Sequence, residues 1–173
     1  DTPAADTILA AIWDVLADRE VDPEDVLVLQ PRGNGPAEPP DPRGDLPEEI
    51  RERITWRIHD PQQAEGGQYL ATSATGERVY LALELIEADL VIPVGPVAFD
   101  SVLGYRGTHS VLYPGLSNSD SLSRALGQGH RELEPSDQRP LRELIDDVGW
   151  LLGVQFCVAV VPAAGSGVAG VWA

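Results

Sequence analysis

The run Leu90-Val91-Ile92, continued by Val94, is apolar without alternation, the pattern of a strand covered on both faces rather than of an amphipathic element. It opens onto a segment carrying Gly95, Pro96, Gly104, Gly107, Pro114 and Gly115. An interior strand that empties into a long glycine-bearing loop is where an open α/β sheet places its site, beyond the carboxyl ends of its strands. Glycine there permits positive φ and close approach of backbone to a ligand. The same residues also suit an ordinary connection, and composition alone does not separate the two readings.

Helix and strand signals alternate through much of the chain. Thr2-Pro3 has the form of a cap and first helical residue, ahead of a helix whose apolar face carries Ile8, Ile12 and Leu16. Residues 25–30 read as a buried parallel strand. Six prolines from Pro31 to Pro47 then exclude regular structure over most of that stretch, and Gly33-Asn34-Gly35 within it reads as surface loop. A short helix is expected over 46–54, and a strand over 55–58 that ends in His59-Asp60. Residues 69–74 and 77–81 flank Thr75-Gly76 as a hairpin. Residues 117–126 suit a capped helix, which accounts for the serines there better than nucleophilic chemistry does. The clearest helix spans 137–152, with Leu141, Leu144, Ile145, Val148 and Leu151 in period and Gly153 ending it. Residues 154–161 follow as a buried strand, and 168–172 return antiparallel. The expected fold is α/β: Rossmann-like, a mainly parallel sheet covered by helices, with a β-hairpin near the C-terminus, in one domain spanning 1–173.

Charge narrows the partners. Asp and Glu number 28 against 12 basic residues, a formal net charge of −16. Such a field repels phosphate backbones and anionic lipid, so neither nucleic acid nor membrane is an expected partner. No run is apolar enough to span a bilayer, and the expected compartment is the cytoplasm. The single cysteine, Cys157, lies in an apolar run and reads as core.

Ala88-Asp89-Leu90-Val91-Ile92, Val94-Gly95, Gly104-Tyr105, Gly107 and Leu112-Tyr113-Pro114-Gly115 keep a distinctive order and spacing. The stretch resembles the N-terminal domain of the nickel-pincer-nucleotide lactate racemase family, whose run ADLVIGIG…PHxxAGFSGGAKxxLPG leads into the active site. His59-Asp60 is similar to the family's Asn-His-Asp segment, and 69–81 to its LGTTSRGTPV stretch. Asp1-Thr2-Pro3 resembles a remnant of its Asp-x-Thr-Arg-Pro segment without the arginine that holds a substrate carboxylate. Relative to the family the chain starts after the first strand and stops short of a C-terminal domain.

The resemblance implies specific roles. Racemisation in this family moves a hydride from the 2-carbon of a hydroxy acid to the cofactor while a histidine takes the hydroxyl proton. His59 falls on one of the two proton-transfer histidines, and Asp100 on the other. Ser110 falls on the lysine that attaches the cofactor, and Leu126 on a nickel-ligating histidine. His109 stands beside the lysine position, and His130 four residues beyond the nickel position. Serine cannot form the lysine's thioamide link, and leucine has no lone pair for a metal. The expected catalytic residues are therefore His59 and Asp100, with Gly104, Gly107, Ser110 and Gly115 as loop candidates for a cofactor, no metal ligands and no bound cofactor. The resemblance implies a racemase-like domain that has lost its nickel cofactor and serves as a ligand-binding or structural module. Two other readings stay open: an active racemase or epimerase of 2-hydroxy acids or polyols with altered cofactor use, and an interaction domain completing a site with a partner chain. The implied partners are a small hydroxy acid, a second copy or a further domain.

Overall fold

The computed structural model describes residues 2–32, 37–62, 67–73, 76–100, 103–127, 139–165 and 167–173. Gly33-Asn34-Gly35, Thr75, His130 and the first residues of the helix expected from 137 lie outside these.

Helix α1 (Ala5–Ala17) begins later than its sequence signal. Ala4 occupies the N-cap at φ 53 with no capping side chain, so Thr2 and Pro3 belong to the entering turn instead. Strand β1 (Leu27–Pro31) pairs in parallel with β2 (Thr55–His59), in a register that sets Pro31 opposite His59. Between them lies the short helix α2 (Glu48–Arg51). Its end is sealed by Arg43, whose Nη1 donates to the carbonyls of Arg51 at 3.0 Å and Ile54 at 2.7 Å. The Arg51 carbonyl is among the last-turn acceptors that a helix leaves without partners of its own, and that of Ile54 lies just beyond the helix.

Strands β3 (Gln68–Thr72) and β4 (Arg78–Leu81) form the expected hairpin, followed by helix α3 (Leu83–Glu87). The central apolar run departs from expectation. Strand β5 is only Val94–Pro96, and Leu90 is exposed. Pro93 precedes the strand and offers no N–H for a ladder, contributing only its carbonyl to Val158 N at 2.8 Å. The glycine-bearing loop beyond it contains a hairpin of its own, β6 (Ala98–Asp100) against β7 (Gly104–Arg106), and a turn of 3-10 helix at Thr108–Val111.

Helices α4 (Ser119–Gly127) and α5 (Pro140–Leu151) lead to β8 (Val158–Pro162) and β9 (Val168–Trp172). The cap of α4 is Asn118, whose Oδ1 accepts from Ser121 N at 3.0 Å. Gly153, at φ 69, follows α5 as expected. The apolar run from 154 forms strand only from Val158, with Phe156 exposed and Cys157 half-buried just ahead of it. Sheet order is β5-β8-β9, parallel across β5 and β8 and antiparallel across β8 and β9. The result is a mixed α/β fold with parallel pairing, helical cover and a C-terminal hairpin. Among the described residues no helix is long and apolar enough to cross a membrane.

Three apolar clusters hold it together. The largest joins Val79 and Leu81 of β4, Leu85 of α3, Leu112, Tyr113 and Leu116, and Leu141, Leu144, Ile145 and Val148 of α5. Helix α1 serves the other two, laying Ile8 against Val158 and Val160, and Trp13 against Leu46 and Ile54. Each such side chain contributes about 1.5–3 kcal/mol when removed from water.

Candidate functional site

His59 ends β2, at the carboxyl end of the first parallel pair, and is 6% exposed. Its Nε2 lies 2.9 Å from the carbonyl oxygen of Ser117. A carbonyl only accepts, so Nε2 carries the hydrogen and Nδ1 is left as the basic nitrogen. Ser117 is itself fixed: its Oγ donates to Pro114 O at 2.7 Å, and its backbone bridges Leu81 of β4. The glycine-bearing segment therefore reaches His59 through Ser117.

Asp100 sits at the turn end of β6. Its Oδ1 accepts from Leu103 N at 2.9 Å, and its Oδ2 pairs with Arg106 at 3.2 Å. Gly104 follows at φ 77, a conformation that favours glycine. A Cβ there would lie 2.9 Å from Arg139 Nε, and one on Gly107 would lie 3.0 Å from Arg142 Nη2. Arg142 stacks over the Tyr105 ring at 3.8 Å from its centroid and donates to Tyr105 O at 3.1 Å and to the Tyr105 hydroxyl. Its Nε pairs with Asp146 at 3.0 Å. At Gly104 and Gly107 the close approach is thus made by two arginines of the α5 region.

Ser110 lies in the turn Thr108–Val111, and its Oγ donates to Gly107 O at 2.7 Å. That turn is wedged between two elements. A Cβ on Gly95 of β5 would lie 2.7 Å from Val111 Cγ2, and one on Gly149 of α5 would lie 2.7 Å from His109 Nδ1. Gly115 closes the turn so tightly that a side chain would collide with the Val111 carbonyl. His109 Nδ1 also lies 3.6 Å from Asp146 Oδ1. Leu126, near the end of α4, is 53% exposed. Among the described residues the side-chain hydrogen bonds of His59 and Ser110 go to Ser117 O and Gly107 O rather than to Asp100. Among the described residues no cluster of three or more His, Cys, Asp or Glu could hold a metal ion.

Residues 2–132 match the family described as the lactate racemase N-terminal domain. The chain belongs to that family. Its fold is similar to that of the lactate racemase apoprotein from Thermoanaerobacterium thermosaccharolyticum, with a TM-score of 0.79 at 15% identity over 99% of this chain and 42% of that one. A crystal structure of a Thermotoga maritima protein matches with a TM-score of 0.53 at 16% identity, over 67% of this chain and 33% of that one. The chain thus spans well under half the length of these two proteins. No curated protein matches it.

This lactate racemase N-terminal domain also holds a polar network that its sequence did not announce. Tyr113 is fully buried, and its hydroxyl donates to Glu77 Oε1 at 2.8 Å. Burial first, and then the Glu77 carboxylate, push the phenol up to about 12. Arg124 of α4 pairs with the same Glu77 oxygen at 3.3 Å and donates to Ser121 Oγ at 3.2 Å. Glu77 and Arg124 of this network also line an open cleft of about 550 Å³ between β4 and α4, together with Gly76, Arg78, Tyr80, Asn118 and Asp120. The one sequence signal was Tyr113 itself, a hydroxyl-bearing residue inside an otherwise apolar Val-Leu-Tyr-Pro run.

Proposed function

We propose that this chain is a lactate racemase N-terminal domain that does not carry the family's covalent nickel-pincer nucleotide and acts as a ligand-binding or structural module. The observation carrying the reading is the state of Ser110. Its hydroxyl is used within its own turn, on Gly107 O, and the turn is packed on one side against Gly95 and on the other against Gly149. A hydroxyl offers no amine for a thioamide link, and this one is engaged locally.

The donor set does not fit the cofactor either. Leu126 presents hydrocarbon at the nickel-ligand position, and Asp100 at the second base position is tied to Leu103 N and Arg106. All twelve basic side chains in the sequence are arginines, so no shift of alignment within it supplies an attachment lysine. His59 retains the position of a proton-transfer residue, and its exchangeable nitrogen is Nδ1. Without the hydride acceptor, taking a hydroxyl proton leads nowhere, since a ketoacid forms only if the hydride also leaves.

The test is to produce the protein together with the cofactor-synthesis enzymes, then measure intact mass and bound nickel. The unmodified mass with no stoichiometric nickel is expected. An adduct mass, or one nickel per chain, overturns the proposal.

A further inference from the structure

The cleft between β4 and α4 carries one acid and one arginine on each side, Glu77 and Arg78 at β4 and Asp120 and Arg124 on α4. On β4, Val79 and Leu81 face the core while Arg78 and Tyr80 face outward, into the cleft. On α4, Asp120 and Arg124 are four residues apart and share one face. Such a pair ordinarily forms an ion pair along the helix. Here Arg124 reaches across to Glu77 instead, and the Asp120 carboxylate has no ion pair or hydrogen bond among the described residues. The Arg78 guanidinium likewise has none, and Arg78 and Asp120 are not paired with each other. Asn118 uses its Oδ1 to cap α4, and the residue lines the same cleft with its amide N–H groups still available as donors.

From this arrangement we infer that the cleft binds a small zwitterion, an amino acid or dipeptide, with its carboxylate at Arg78 and Asn118 and its ammonium at Asp120. The whole-chain field selects the same class. At a net charge of −16 an anion is repelled before it arrives, and a simple cation can pair with Asp120 but leaves Arg78 unmatched. A molecule of zero net charge avoids both costs and matches both walls. About 550 Å³ accommodates a dipeptide. The inference gives the binding role proposed above a place and a ligand class. It does not depend on the cofactor question, because nickel retained elsewhere would leave these walls unchanged.

The experiment is an NMR titration of the 173-residue chain with glycylglycine, with acetate and methylammonium as half-ligands. Saturable shifts of the Arg78, Asn118 and Arg124 side-chain N–H signals are expected, with a dissociation constant on the order of 1 mM, as befits a few solvent-exposed charge contacts. Each half-ligand should bind at least about tenfold more weakly, since it satisfies one wall only. Arg78→Gln and Asp120→Asn should each weaken glycylglycine by roughly three- to tenfold, with circular dichroism and thermal midpoint unchanged because both side chains are exposed. Absence of saturable shifts overturns the inference. So does acetate binding as tightly as glycylglycine, or an affinity that neither substitution alters.

Discussion

Tyr113 and Glu77 are joined by a 2.8 Å hydrogen bond from a fully buried phenol to a carboxylate 36 residues earlier in the chain. This bond ties the turn before α4 to the β3–β4 hairpin. The ionised phenolate is disfavoured by burial and by the neighbouring carboxylate, so the folded-state value lies near 12. An unfolded tyrosine titrates near 10. The folded value is the higher one, so the stabilisation is fully present below pH of about 10 and is lost as pH rises through about 12. Ultraviolet titration should show one phenol ionising near 12 that is absent in Tyr113→Phe. A difference spectrum between the two proteins that saturates near pH of about 10 would contradict this.

His59 donates from Nε2 to Ser117 O in a nearly solvent-free position. Nitrogen-15 NMR should find the Nε2–H tautomer in the neutral form. His59→Ala leaves the Ser117 carbonyl without its donor and should cost about 1–3 kcal/mol, read from urea midpoints. A neutral substitution would show that water replaces the imidazole at no cost.

Asp41 and Arg43 couple stability to acid pH. The bidentate contact from Arg43, at 2.8 Å for Nη2 to Oδ2, holds the Asp41 carboxyl below its ordinary value. A depressed folded value means stabilisation that is present above pH of about 4 and lost as pH falls through the folded value below it. Asp41 is partly exposed, so solvent screening keeps the contribution under about 1 kcal/mol. The stability gap between wild type and Asp41→Asn should stay constant from neutral pH to about 5 and close at lower pH. A gap that does not change with pH would locate the effect elsewhere.

Gly149 gives His109 its seat on α5. A methyl group there would lie 2.7 Å from the ring, so Gly149→Ala should cost about 1–3 kcal/mol through overpacking. Removing the ring as well should recover part of that loss, so the His109→Ala/Gly149→Ala double variant should lie closer to wild type than the two single losses summed. Strict additivity would mean that the two residues do not press on each other.

The sequence exposed this fold most clearly where one periodicity ran unbroken. The core face of α5, the β3–β4 hairpin and the position of His59 at a strand end were all legible, because alternation or helical period persisted to the element's boundary. The run from Leu90 is apolar enough for a strand, but Pro93 within it cannot donate to a ladder, and the strand is confined to Val94–Pro96. The β6–β7 hairpin was invisible for the opposite reason: Phe99 is 80% exposed and Tyr105 half exposed, so hydrophobicity did not alternate with burial. At the candidate site, the glycines at 104 and 107 suggest close approach of backbone to a ligand, whereas the groups found against them belong to the chain itself. That the approaching groups are Arg139 and Arg142 depends on a contact between segments some 35 residues apart, as Gly104 and Arg139 are, which no local pattern records. The sequence contains no lysine, a fact of composition that needs no structure to read.

Helix α1 leans with Ile8 on the β8 side of the molecule and with Trp13 on the β1–β2 side. It therefore acts as a shared beam: neither parallel pair can loosen without uncovering a flank of the same helix, so failure on one side propagates to the other. Damage near the first dozen residues should register at His59 and at β8 together, although the two are far apart along the chain.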